Sequence, residues 1–356
     1  MLVSCHFGDP DEIMPTYSKT IRNITFQFDV ASDFGGSDLA LFCPVLIGES
    51  DTIKTIDKND KVTVSYTRKP AGVGRLRYGV SDGFNYKARL QAIMANGSHV
   101  PGTLFYPYSR VRTLPADSSY FIIDFSEQDG TLATIREKAY YAMANIEMEC
   151  DEYSNKGIVR SSVTPVKLSP KHALLRLSLV SPDGRMSLAN YLRQRGMAYG
   201  AAYSITRIQV ADFNSKGNFG TPMMLDVDSG ITSFPDRFVR YIDLHERDDH
   251  NMIGYQTFEV PESSSAQASV EGASWGTSCY VALPCLGDSA CSRHSLSIRV
   301  TASVANSTYV LYGRLEPDFL YHEGESYCTA PVQLSLDEGS VNGSASVYHA
   351  DQSFEK

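Results

Sequence analysis

Three short stretches of the chain carry residue types whose spacing could do chemistry, and each competes with an ordinary turn. Gly79-Val80-Ser81-Asp82-Gly83 has the G-x-S-x-G spacing that holds a strained nucleophilic serine between a strand and a helix. That chemistry also needs a helix after the serine and a glycine-rich oxyanion segment. Tyr86 to Met94 has no clear helical period and no such glycine run is evident, so a hairpin turn at Asp82-Gly83 is the preferred reading. His245 and His250 flank Glu246 somewhat as in a zinc-protease helix. Two such ligands must stand four apart on one helical face, and these stand five apart, after the strand-like run Phe238 to Leu244. Asp226-Val227-Asp228-Ser229-Gly230 resembles the opening of a calcium loop, but its glycine comes one position early and no matching ligands follow. The expectation is therefore no catalytic residue, no metal ligand and no cofactor.

Cysteine is the remaining reactive residue type. None of the seven cysteines forms a C-x-x-C pair of the kind used by zinc or dithiol redox sites. Leu2-Val3-Ser4-Cys5 matches the small-residue box after which bacterial lipoproteins are cut and acylated, which makes Cys5 the candidate lipidation site. Setting Cys5 aside leaves Cys43, Cys150, Cys279, Cys285, Cys291 and Cys328, an even number, as disulfide candidates for an exported protein. Cys279, Cys285, Cys291 and Cys328 could pair among themselves in any of three full connectivities, and Cys43 could pair with Cys150.

The elements that must position these residues read as strands. Ile24 to Val30, Val62 to Thr67, Leu175 to Leu179, Leu296 to Val300 and Val332 to Leu336 alternate apolar and polar residues. Successive strand side chains face opposite sides, so this pattern predicts antiparallel sheets with one buried and one wet face. Asp82-Gly83, Asn96-Gly97, Asp129-Gly130, Asp183-Gly184 and Asn342-Gly343 punctuate the runs as turns. One helical exception is expected over Leu132 to Met143, where Leu132, Ile135, Ala139 and Met143 share a face. Pro261–Gly272 reads as a long exposed loop. A polar, proline-bearing stretch from Cys150 to Pro170 sets a domain boundary near Lys167–Lys171. The expected organisation is a terminal segment over 1–19, one β-sandwich over 20–168 and a second over 169–356.

Bulk properties narrow the partners. The 356 residues suffice for two domains, and 42% hydrophobic with 21% charged residues is a globular composition. A net charge of -9 argues against nucleic acid as a partner, since phosphate contacts need clustered Lys and Arg. No run of 18 apolar residues occurs that could cross a bilayer as a helix.

The order of motifs in the middle of the chain carries a family resemblance. Thr103-Leu104-Phe105-Tyr106-Pro107-Tyr108 is followed by Ser126-Glu127-Gln128-Asp129 and Lys138-Ala139-Tyr140-Tyr141-Ala142. Val166-Lys167-Leu168-Ser169-Pro170-Lys171-His172-Ala173-Leu174 then leads into a new set of strands. This succession resembles the fimbrillin-like proteins of Bacteroides and its relatives, over about residues 20–245. The resemblance implies an all-β fold of two transthyretin-like antiparallel β-sandwich domains. It further implies a pilus shaft, tip or anchor subunit, not an enzyme, exported to the outer membrane through a lipid anchor and assembled with other fimbrial subunits by strand donation. A host or bacterial surface receptor would be its adhesive partner. In polymerising members an arginine soon after the first strand is cut to activate assembly. Here no arginine occurs between Val30 and Arg68.

Within that resemblance Tyr106 and Tyr108 are expected to pack in a sandwich, and His172 to be a packed or hydrogen-bonded residue without catalytic work. The rival function is a surface glycan-binding lipoprotein of a polysaccharide-uptake system, which would display an aromatic platform and no exchangeable sheet edge. Ile24–Val30 and the polar segment from Ser340 to Lys356 are the strands expected to leave or reach out during assembly.

Overall fold

The computed structural model of the chain describes residues 21–29, 40–43, 52–56, 62–66, 71–75, 77–78, 85–93, 99–107, 120–150, 156–160, 166–213, 219–220, 222–226, 232–233, 239–245, 253–258, 275–285, 291–341 and 343–350. Contacts divide the chain into two compact units. One comprises Met1–Phe121, Ala142–Ser169 and Asp226–Ile231; the other comprises Ile122–Tyr141, Pro170–Leu225 and Thr232–Lys356. The chain passes from the first to the second at Phe121/Ile122, at Ser169/Pro170 and at Ile231/Thr232. The segment Ile122–Tyr141 groups with the second unit, which the sequence reading did not anticipate.

The architecture is all-β, with antiparallel pairing predominant. The strands up to the crossing are β1 (Ile21–Asp29), β2 (Ala40–Cys43), β3 (Thr52–Ile56), β4 (Val62–Tyr66), β5 (Ala71–Arg75), β6 (Arg77–Tyr78), β7 (Asn85–Ile93), β8 (His99–Tyr106), β9 (Tyr120–Ile123), β10 (Ala142–Cys150), β11 (Lys156–Arg160) and the two-residue β12 (Ser169–Pro170). In the first unit they form a sheet in the order β5-β2-β8-β10-β11-β1-β7-β6, with β3 and β4 as a separate hairpin. The alternating run at Ile24 lies in β1, which pairs with β7 over nine positions from Ile21↔Ile93 to Asp29↔Asn85.

Beyond the crossing come β13 (His172–Val180), β14 (Tyr203–Asp212), β15 (Met223–Asp226), β16 (Thr232–Ser233), β17 (Tyr241–His245), β18 (Gln256–Phe258), β19 (Gly276–Pro284), β20 (Cys291–His294), β21 (Leu296–Val304), β22 (Ser307–Arg314), β23 (Phe319–His322), β24 (Ser326–Thr329), β25 (Val332–Gln333) and β26 (Val347–His349). One sheet of the second unit runs β18-β19-β13-β24-β26, with β25 also on β13. Another runs β17-β14-β21-β22, and β20 pairs with β23. Alternation survives in β21, where Leu296, Ile298 and Val300 are buried and Arg299 is exposed. In β13 it does not, because Arg176 and Ser178 are buried along with the leucines. The Ser178 N–H donates to Thr329 Oγ1 at 3.0 Å, and its hydroxyl lies 3.4 Å from that of Ser278. With Ser178 bonded from both neighbouring strands, β13 needs no wet face at that position.

The helical expectation over Leu132 to Met143 is corrected at its end. A helical turn at Leu132–Thr134 continues as a π-type turn through Ala139, and Met143 already belongs to β10. Thr131 caps the start by accepting the Thr134 N–H, and Tyr140 ends it with an extended backbone. A second helix, Leu188–Ala198, was not expected. Its signals were present: Ser187 Oγ accepts the Asn190 N–H at 3.3 Å, and Leu188 and Leu192 bury one face. Three of the expected turn glycines hold left-handed backbone, Gly130 at φ +89, Gly184 at φ +68 and Gly343 at φ +77.

Candidate functional site

The surfaces able to take part in assembly are the ends of sheets and the strands that occupy them. In the second unit β26 closes one edge. It pairs antiparallel with β24 at Thr329↔Val347, Cys328↔Tyr348 and Tyr327↔His349. Two further backbone bonds extend this contact: Ala330 N–H to Ser346 at 2.8 Å, and Ala350 N–H to Ser326 at 2.8 Å. Val347 and Ala350 are buried there, and the His349 ring stacks edge-on against Tyr327 at 5.4 Å while its Nε2 lies 2.7 Å from Glu325. The opposite edge ends on the three-residue β18, whose side chains are all exposed. Short edge strands limit unwanted pairing with other chains.

β18 covers only the start of β19, from Gly276 to Ser278. Beyond it, the edge of β19 is finished by the turn at Gln128 to Gly130. Tyr280 donates its N–H to the Gly130 carbonyl at 2.9 Å. Ala282 donates to Gln128 Oε1 at 2.7 Å, and Gln128 Nε2 donates back to the Ala282 carbonyl at 3.1 Å and to Phe125 at 2.7 Å. Asp129 fixes the turn by accepting the Thr131 N–H and the hydroxyls of Thr131 and Thr134. Sequence reasoning quoted Gln128 as part of a motif but gave it no role. Its distance along the chain from Ala282 hid the partner.

In the first unit β1 is an interior strand. β7 flanks it on one side, antiparallel, and β11 on the other, parallel at Thr25↔Lys156, Phe26↔Gly157 and Gln27↔Ile158. Withdrawing β1 would open a slot bordered by two strands, each with backbone donors and acceptors facing it.

The remaining residues singled out in the sequence distribute as follows. Tyr106 ends β8 with its side chain half buried, and Tyr108 lies outside the described residues. His172 opens β13, buried, with its ring 4.9 Å from Tyr140 and 6.4 Å from Phe125, a packed residue as expected. His245 ends β17 opposite Arg207, and Asp226 ends β15. Ser81, Glu246 to His250, Val227 to Gly230, the Pro261–Gly272 stretch and Cys5 lie outside the described residues.

The disulfide expectation meets a different arrangement. Cys279, Cys285, Cys291 and Cys328 are free thiols. Cys279 stands opposite Leu177 on one side of β13, and Cys328 stands opposite Arg176 on the other. Two strand spacings put their Cα atoms about 9–10 Å apart, on opposite faces, beyond the roughly 7 Å a bridge can span. Cys43 and Cys150 lie on β2 and β10, with β8 between them, so the same limit applies. Burial pushes the thiols of Cys279 and Cys285 up to about 12. Cys285 Sγ donates to the Tyr321 carbonyl at 3.7 Å. Among the described residues no cluster of His, Cys, Asp or Glu could hold a metal ion, and no helix is long and apolar enough to cross a membrane.

No protein-family model and no curated protein matches the chain. Among solved structures it is similar to a candidate cell adhesion protein of Bacteroides uniformis, at 12% identity and a TM-score of 0.41, over 92% of this chain and 98% of that one. It is also similar to the tip fimbrial protein Mfa3 of Porphyromonas gingivalis, solved with a C-terminal truncation, at 8% identity and a TM-score of 0.34 over 92% and 98%. The fimbrial anchor protein Mfa2 of the same organism gives 8% identity and a TM-score of 0.35 over 85% and 99%.

Proposed function

We propose that the chain is a surface-displayed fimbrial subunit that joins its neighbours through exchange of a strand. The observation that carries this reading is the place of β1: an alternating strand, early in the chain, held between β7 and β11. A strand in that position can be replaced by an extended segment of another subunit, which would recover both rows of backbone bonds and fill alternate side-chain sites. The order of sequence motifs from Thr103 to Leu174 supports the same family. Two transthyretin-like sandwiches, a lipid anchor on Cys5 and an adhesive receptor on the host or bacterial surface belong to this proposal. The terminal edge strands β18 and β26 favour it over a glycan-uptake lipoprotein with no exchangeable edge.

The absence of arginine between Val30 and Arg68 adds a direction. With β1 left uncut the slot stays filled, so the subunit can offer a strand but not accept one. Such a subunit ends a filament as a cap or an anchor. Protein taken from the native surface and sized by gel without boiling tests this. It should appear in high-mass complexes alongside other fimbrial subunits, at one copy per complex. A ladder of its own multimers would make it a shaft subunit, and a lone monomer never isolated with other subunits would overturn the assembly reading.

A further inference from the structure

The outer face of the β17-β14-β21-β22 sheet carries a hollow that assembly does not use. Register aligns one row across the four strands: Tyr241, Ala211, Ser297 and Arg314. The adjacent row sets Arg299 beside Tyr312. Two small residues between large ones leave a depression, with Ala211 and Ser297 as its floor and Tyr241, Tyr312 and Arg314 among its walls. Arg240, Phe213 and Glu338 complete the rim around about 150 Å³. At roughly 30 Å³ per water that is room for about five waters, well short of the roughly 300 Å³ at which drug-sized sites begin. It suits one small ring.

The charge of the hollow runs against that of the chain. Three guanidinium groups and one carboxylate line it, in a protein of net charge -9. Among the described residues Arg299 and Arg314 have no ion-pair partner, and Arg240 rests over the Tyr241 ring at 5.7 Å. Arg299 and Arg314 occupy diagonal positions, about 7 Å apart in a regular sheet. Like charges so placed cost stability, and Glu338 is the single carboxylate in the lining against three guanidinium groups.

We propose that this hollow binds a carboxylate-bearing sugar, a sialic or uronic acid residue of a glycan. Guanidinium forks match a carboxylate in two parallel hydrogen bonds. The Tyr241 and Tyr312 rings offer apolar surface to the C–H face of a pyranose, and Ser297 and Glu338 offer acceptors for its hydroxyls. A bare inorganic anion would use the arginines and leave the rings and Glu338 without a purpose. The inference rests on the adhesive reading only in that surface display brings the hollow to a glycan; binding itself belongs to the second unit.

Isothermal titration of the purified full chain with 3′-sialyllactose, digalacturonate, lactose and acetate tests the site. One of the two acidic sugars should bind, identifying the source of the carboxylate, with lactose and acetate at least about 10-fold weaker and with affinity falling as salt rises. Arg299→Ala/Arg314→Ala should lose at least about 10-fold at an unchanged or higher melting temperature; if it melts lower, Arg314→Gln and Arg240→Gln are measured singly, with the same loss expected. No binding of either acidic sugar, equal binding of lactose or acetate, or variants that bind like wild type would overturn the proposal. The same variants should enter filaments normally. Lost sugar binding with normal filament entry confines any failure to this site. Normal binding by a chain that never enters filaments confines it to the assembly reading.

Discussion

Gln128 and Ala282 stand 154 residues apart and are joined as two neighbouring strands would be, with the side-chain amide exchanging a donor and an acceptor with the Ala282 backbone at 3.1 and 2.7 Å. Gln128 is fully buried, so neither partner can turn to water instead. Together with the Tyr280–Gly130 backbone bond, this side chain closes the part of the β19 edge that β18 leaves open, and ties the segment Ile122–Tyr141 into its unit.

Gln128→Ala leaves the Ala282 N–H and carbonyl without that partner. At about 1–3 kcal/mol for each buried unmet group, the variant should lose about 2–6 kcal/mol in a urea titration. Gln128→Glu should cost a similar amount, because an ionised carboxylate cannot donate to the Phe125 and Ala282 carbonyls. Wild-type stability in both variants would show that the edge is held by other means.

The buried thiols set an alkaline limit. Cys279 and Cys285 are raised to about 12 by burial from an ordinary value of 9.0. Between those values the folded state binds more protons than the unfolded state, so stability falls as pH rises through the window and is fully present below it. Tyr321 and Tyr327, also raised by burial, act in the same direction. Urea titrations from pH 7 to pH 11 should show this loss, and Cys279→Ala/Cys285→Ala should show a shallower one. In native protein at pH 8, iodoacetamide should modify the half-exposed Cys291 and spare Cys279 and Cys285 until urea is added. Native Cys279 reacting as fast as Cys291 would contradict the burial.

Removing Ser344–Lys356 tests β26. The deletion takes away the pairing with β24 and the buried Val347 and Ala350, for an expected loss on the order of 2–4 kcal/mol. The shortened chain should remain a soluble, cooperatively melting monomer that no longer enters filaments. Filament entry equal to wild type would remove β26 from the assembly account. A shortened chain that does not fold would make β26 a part of the core rather than an exchangeable edge.

What could be read from the sequence was what local pattern encodes. Leu296, Ile298 and Val300 announce a strand with one buried face, and β21 has one. Asp129-Gly130 announces a turn, and Gly130 holds the left-handed backbone that a turn favours there. The same reasoning misjudged Arg176 and Ser178, since the groups that bury Ser178 come from strands 151 and 100 residues away. It gave β1 no neighbours, because alternation says nothing of which strands lie on either side. The arginine hollow was equally out of reach. Arg299 and Arg314 read as ordinary wet-face residues until the register of four strands sets them around Ala211 and Ser297. Cysteine counting met the same limit: an even number permits pairing, but strand spacing separates Cys279 from Cys328 and Cys43 from Cys150.

The central claim is that β1 fills a slot that another subunit's strand can occupy once β1 is cut free. It is tested most directly by inserting a specific protease site between Val30 and Ala40, cutting the purified protein, and following β1 by native mass spectrometry in the presence of a synthetic peptide spanning Ser340–Lys356. The account predicts that cut protein releases β1, takes up one peptide per chain and keeps its cooperative melt, while uncut protein takes up none. Cut protein that keeps β1 and binds no peptide, or that unfolds despite excess peptide, would contradict it.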